Sequence, residues 1–253
     1  MKSALIVVAT VGVIAGCATT IESTASRRLN DIVIDGEASD WAGKLTATNQ
    51  SNVQCGIQYD DDFVYLCVLV PERGNQMQML GGGFSVWIDP AGGKDKRFGI
   101  RCPIGQQENV RTMRSAGSPD EFRAFINQLQ NELQITVNGG EAQQMRKLEL
   151  KGIQFTLAPS EKGLVYELKV PFRATADHPL ALGVDSFTAL GIGIESYEVL
   201  SRSVGGGMSS RPTGSGRGGR GGGMASGGGS APSFEGGGER PKLLDFWVRA
   251  SKQ

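Results

Sequence analysis

The chain has 253 residues, with 26 lysines and arginines balanced by 26 aspartates and glutamates, and 39% of its residues are apolar. A neutral chain has no bulk field to recruit nucleic acid or acidic lipid, and this apolar content is that of a protein that buries a core. With one histidine, no Ser/His/Asp arrangement is convincing, no Walker or Rossmann string appears, and hydrolysis by a carboxylate pair stays open with nothing to single out such a pair, so no enzyme is expected.

Residues 1–16 read as an export signal: Lys2, then an apolar run from Ala4 to Ile14 that is too short to span a bilayer comfortably. Ile14-Ala15-Gly16-Cys17 has the form of a lipoprotein processing box, so Cys17 is expected to become the acylated mature N-terminus and the membrane anchor. The alternative is an ordinary cleaved signal with a chance cysteine. Removing residues 1–16 takes away Lys2 alone and leaves 25 basic and 26 acidic side chains. Ala18, rather than Asp, after the anchor is compatible with outer-membrane sorting, so the expected location is the bacterial cell envelope, outer membrane, facing the periplasm. Residues 17–29, polar and small, read as a tether to a domain spanning 30–253.

Runs at 53–59 and 63–70, rich in β-branched and aromatic residues, flank Asp60-Asp61-Asp62 and predict a hairpin. Cys55 and Cys67 lie symmetrically about Asp61, which makes them a candidate disulfide; the alternative is that they and Cys102 are small buried hydrophobes. Runs at 84–89 and 98–102, joined by a Pro/Gly loop, predict two more paired strands. Ser118-Pro119-Asp120-Glu121 supplies an N-cap, a first-turn proline and a capping-box glutamate. Phe122, Phe125, Ile126, Leu129 and Leu133 then recur at helical spacing, predicting a helix packed on the sheet.

Strand-like runs resume at 145–150, 153–157, 164–170, 187–198 and 243–250. Many short strands separated by turns predict an all-β antiparallel sandwich with one inserted helix. Residues 203–238 hold 16 of the 37 glycines and almost no apolar side chains to offset the entropy of ordering them, so they read as a disordered insertion between the last two strands.

Four strings occur in order: Ile34-Asp35-Gly36 with Asp40-Trp41, Tyr59-Asp60-Asp61-Asp62-Phe63-Val64-Tyr65, Trp87-Ile88-Asp89-Pro90, and Tyr166-Glu167 with Val170-Pro171. Together they resemble the family 9-like carbohydrate-binding modules, relatives of the DOMON domains, from about Asp31 to Ala250. The resemblance implies a jelly-roll-like sandwich and a non-catalytic module that binds sugars or, in some relatives, haem. The hallmark residues themselves read as structural: Asp35 and Gly36 as a turn, Trp41 as a cover for one end of the core. Glu167 is either a paired buried carboxylate or an edge residue.

Alternation locates a ligand face. Phe84, Val86 and Ile88 share one side, so Trp87 points with Ser85 and Asp89 to the other; likewise Leu244, Phe246 and Val248 point inward, and Trp247 points away with Asp245 and Arg249. Two tryptophans on polar faces read as sugar-stacking rings, with Asp89 as a polar anchor; the alternative is that helix or loops cover both rings. No cofactor is expected. Asp89 and Asp95 around Gly92-Gly93 are a calcium candidate, but the spacing is not that of an EF-hand loop, and a solvated turn is the other reading.

Haem would need His178 with Met77, Met79, Met113 or Met145, and no c-type attachment string exists. The Arg217-to-Gly222 run would indicate RNA contact in a cytosolic protein; export argues against a nucleic-acid partner. The expected partners are a carbohydrate and, through the lipid, the membrane, with an envelope protein held by the same sandwich as the rival reading.

Overall fold

The computed structural model describes residues 20–198 and 243–253 apart from 49, 51 and 116, so Cys17 and the 203–238 insertion lie outside the described residues. The strands are β1 Thr20–Arg27, β2 Thr46–Ala47, β3 Gln54–Tyr59, β4 Phe63–Val70, β5 Gly83–Asp89, β6 Phe98–Ile104, β7 Glu132–Thr136, β8 Gln143–Arg146, β9 Gln154–Ser160, β10 Gly163–Pro171, β11 Ala189–Ser196 and β12 Asp245–Lys252. Among the described residues, three α-helices interrupt them: α1 Arg73–Gly82, α2 Gln107–Ser115 and α3 Pro119–Leu129.

All the strands join one hydrogen-bonded sheet, in the order β8-β7-β6-β5-β11-β12-β1-β3-β4-β10-β9, with β2 pairing beside β3. The sheet curls back on itself. Phe84 on β5 meets Tyr166 on β10 edge-on, ring centroids 5.2 Å apart, although five strands lie between them along the sheet. The inner faces of the two halves bury one continuous core, including Phe84, Val86 and Ile88 from one half and Leu66, Val68 and Leu168 from the other. This is the all-β sandwich that the strand pattern predicts.

The predicted helix forms as the capping string dictates: the Ser118 side chain accepts from the Glu121 amide at 3.2 Å, Pro119 occupies the first turn, and Phe125 and Ile126 are buried. Leu133, expected on the same helix, instead belongs to β7. Just after α3, the Gln130 side chain acts as a surrogate strand for the sheet edge. Its amide donates to the Leu157 carbonyl at 2.8 Å and its oxygen accepts the Leu157 amide at 2.9 Å, covering part of an exposed edge on β9.

Other sequence expectations are corrected. α1 and α2 form in addition to the one inserted helix expected. Residues from Thr20 onward are not a tether: Thr20–Arg27 is a strand, paired in parallel with β12 on one side and β3 on the other. Only Ala25 in it is fully buried, so it carries no hydrophobic alternation to read. The Cys55–Cys67 disulfide does not form. The turn between β3 and β4 closes with the Asp60 amide on the Phe63 carbonyl, which sets Tyr59 opposite Val64 and Cys55 opposite Val68. A one-residue offset sends the two cysteines to opposite faces of the sheet; Cys55 joins the main core and Cys67 the outer cluster around Trp41. All three described cysteines are free and buried, and burial pushes the Cys55 and Cys102 thiols up to about 12, the state of inert packing residues.

The first and last of the four ordered strings meet. Glu167 is fully buried and accepts from the Trp41 indole at 2.7 Å and from the Gly36 and Asp35 amides at 2.6 and 3.1 Å. Burial is the largest influence on this carboxyl and holds it above the ordinary glutamate range despite the three donors.

Asp60 pins the hairpin turn. It accepts from the Asp62 and Phe63 amides at 2.9 and 2.7 Å and from the Tyr65 hydroxyl at 2.9 Å, and it pairs with Arg28 at 2.8 Å. Burial pushes its carboxyl up, but the two amides, the hydroxyl and Arg28 outweigh it and hold the group below the usual aspartate value. A depressed folded value means stability that is present above the unfolded pKa and is lost as pH falls through the folded one. Asp60→Asn is therefore expected to cost about 1–3 kcal/mol near neutrality, with the gap to wild type closing in acid. Denaturation at several pH values checks this; a gap that does not change with pH would contradict it.

Candidate functional site

Strands β6, β5, β11 and β12 lie side by side, followed by β1. Their registers lay the outward residues out as a grid. One row runs Arg101, Ser85, Glu195, Asp245; the next runs Gly99, Trp87, Gly193, Trp247, Thr20; the third runs Asp89, Gly191, Arg249, Glu22. The alternate residues of β5, β11 and β12 face the core, as alternation predicts. Trp87 and Trp247 therefore share one face, in one row, on the two strands that flank β11.

Glycine makes this row possible. A Cβ on Gly99 would collide with the Trp87 ring, and one on Gly193 would stand 2.7 Å from Cζ2 of Trp247. Each indole thus lies across a bare stretch of the neighbouring strand, the use of strand glycine that allows close approach.

The polar groups converge on Glu195. Its Oε2 accepts from the Trp87 indole at 3.0 Å and from the Tyr197 hydroxyl at 3.3 Å, while Oε1 pairs with the Lys96 ammonium at 2.6 Å. Ser85 Oγ lies 2.8 Å from the same hydroxyl, and the Arg101 guanidinium stacks on the Tyr197 ring at 4.1 Å. Burial, the largest influence, raises the Tyr197 hydroxyl above the usual tyrosine range, so it stays a protonated donor. Lys96 also lies over the Trp87 ring, 5.1 Å from its centroid. Half-exposed aromatic rings beside a carboxylate, hydroxyls and cations can hold a hydroxyl-rich ligand by ring stacking and directed hydrogen bonds.

The three residues expected to bind ligand fare differently. Trp87 is half-buried and sits at the centre of the polar cluster. Trp247 shares its face but is only 5% exposed, so it forms a wall of the site and not an open ring. Asp89 is 1% exposed and faces its own loop, Oδ1 accepting from the Ala91 amide and Oδ2 from the Asp95 amide, both at 3.0 Å. It holds the loop that carries Lys96. No cluster of three or more His, Cys, Asp or Glu suited to a metal occurs among the described residues.

Met79 and Met113 are buried in the core, with Met77 and Met145 packed against it, while His178 stacks edge-on against Phe63 at 5.5 Å. The methionines thus serve as core filler. A groove of about 800 Å³ lies elsewhere, between Trp41, Phe122 and Lys162, but Trp41 is fully buried there and presents no indole face.

Sequence reasoning did not single out Lys96, Arg101, Glu195 or Tyr197. The available signal was in β11, where Gly191, Gly193 and Glu195 alternate with Leu190, Ile192 and Ile194, placing two glycines and a carboxylate on one outer face.

No family model matches this sequence, and no curated protein matches it. Among solved structures, the chain is similar to a family 9 carbohydrate-binding module from Caldicellulosiruptor kristjanssonii in complex with glucose, at 15% identity and a TM-score of 0.33, over 72% of this chain and 79% of that one. It is similar also to a family 9 module of the same organism in complex with cellotriose, at 12% identity and a TM-score of 0.32, over 70% and 77%.

Proposed function

We propose that this protein is a non-catalytic carbohydrate-binding lipoprotein of the bacterial cell envelope, anchored through Cys17 in the outer membrane facing the periplasm and binding glycan at the Trp87 face. The observation that carries the binding reading is the row Gly99-Trp87-Gly193-Trp247, which lays two indoles across glycines beside a carboxylate that orients one of them. The arrangement supplies an aromatic wall and a few directed polar groups, the usual composition of a sugar site.

Screening the full chain on a glycan array tests this reading. Binding to a defined glycan set is expected; silence on every glycan together with a stable co-purifying protein would instead make the sandwich a scaffold for a protein partner. The anchoring reading has its own test: Cys17→Ser is expected to release the protein from the membrane fraction, and continued tight association would refute it.

A further inference from the structure

The Trp87 ring already carries a cation. Its sheet side lies on Gly99, and over its ring stands the Lys96 ammonium, held by Glu195 at 2.6 Å. The Lys96 side chain is half exposed. A sugar that stacks on the ring where Lys96 stands displaces this ammonium. A neutral sugar breaks the Lys96–Glu195 pair and returns the cation to water. An acidic sugar breaks the same pair but offers Lys96 a carboxylate in exchange, while Glu195 keeps its bonds from the indole and from Tyr197.

A second cation points the same way. Arg101 lies on the same face one row from Trp87, stacked on Tyr197, and among the described residues no carboxylate lies within ion-pair reach of it. Its Nε is buried without a hydrogen-bond partner, and its Nη2 makes one long contact, 3.4 Å, to the Gly82 carbonyl. The remaining charges on the face set an orientation. Asp89 is turned into its loop, Arg249 lies 3.8 Å from Glu22, and Asp245 stands beside Glu195 at the β12 side. Lys96 and Arg101 thus lie toward β6 and the Asp89–Lys96 loop, which also carries the exposed Asp95, and Asp245 and Glu22 lie toward β12 and β1.

We infer that the Trp87 face selects acidic sugars, uronate-type units whose carboxylate exchanges with Glu195 for Lys96 and lies toward Arg101. This rests on the carbohydrate-binding reading above and narrows it to a ligand class. Lys96 is then the specificity-determining residue, and Trp87 the stacking one.

The test is calorimetric titration of the full chain with tetramers of mannuronate, galacturonate and glucuronate, each beside its neutral hexose counterpart. The acidic member of at least one pair is expected to bind about fivefold or more tightly, the scale of one charge-assisted hydrogen bond discounted for solvent. That preference should weaken with added salt. Lys96→Met is expected to erase the preference, and Arg101→Gln to reduce it. Neutral members bound as well as or better than acidic ones would overturn the inference and leave carbohydrate binding standing. No binding to any of the six would overturn the inference, and the glycan array then decides the carbohydrate-binding reading.

Discussion

Trp41→Ala is expected to lower the stability of the fold by about 3–5 kcal/mol, the range for truncating a buried large aromatic. Trp41 is fully buried and is the centre of a second, outer cluster with Tyr65, Cys67, Leu69 and Val165. Its ring is closely fitted, with Cε3 standing 2.9 Å from where a Cβ on Gly56 would be. Truncation therefore leaves a cavity that a β-sheet on one side cannot collapse to fill. It also removes the indole donor at 2.7 Å from Glu167, leaving a buried carboxylate with only the two turn amides. Against a typical total of about 5–15 kcal/mol, such a loss is a large fraction of the whole. Trp41→Phe separates the two contributions, since it keeps most of the packing and loses the hydrogen bond; about 1–3 kcal/mol is expected from it. Urea denaturation measures both, and a Trp41→Ala loss below about 1 kcal/mol would show that the outer cluster is not part of the cooperative unit.

Trp87→Ala is expected to weaken glycan binding by about ten- to hundredfold, the loss of one apolar stacking surface and its ring geometry. The fold should survive this change far better than it survives Trp41→Ala. Trp87 is half-buried and lies outside the main core, and its indole bonds one carboxylate that keeps Lys96 and Tyr197 as partners. Trp247→Ala should show the opposite balance. That ring is 5% exposed and covers Gly193, so its removal opens a gap beside β11 and acts on stability as well as on binding. A variant of Trp87 that unfolds the protein, or that leaves glycan affinity unchanged, would move the site elsewhere.

Much of the sandwich was legible because strand burial has a period of two. Phe84, Val86 and Ile88, and Leu244, Phe246 and Val248, announce both the strands and the side that faces inward. The start of α3 was equally plain, because a capping string is a local signal. Register was not legible. The Cys55–Cys67 expectation placed the turn centre half a residue away from where the Asp60–Phe63 hydrogen bond puts it, and that offset reverses the faces.

β1 was missed because a central strand with one fully buried residue looks like a polar linker. α1 was missed because its sequence, Arg73–Gly82, ends in two glycines and has no apolar stripe; it is held by packing around Met79 and Leu80 and not by propensity. The candidate site was half legible. Trp87 and Trp247 could be placed on polar faces one strand at a time, but their sharing a row depends on β11 lying between them, a long-range pairing that no local pattern encodes. Lys96 was hidden for the same reason, since it reaches Trp87 from a loop whose shape Asp89 sets by hydrogen-bonding its amides.

The central claim is that one face of this sandwich binds carbohydrate through Trp87. Calorimetric titration of wild type and Trp87→Ala with the glycan that scores highest on the array tests it most directly. The account predicts a saturable one-site isotherm for the wild type and an affinity lower by about tenfold or more in the variant, with its circular dichroism unchanged. Equal affinity in the two proteins, or no heat of binding with any glycan, would contradict it.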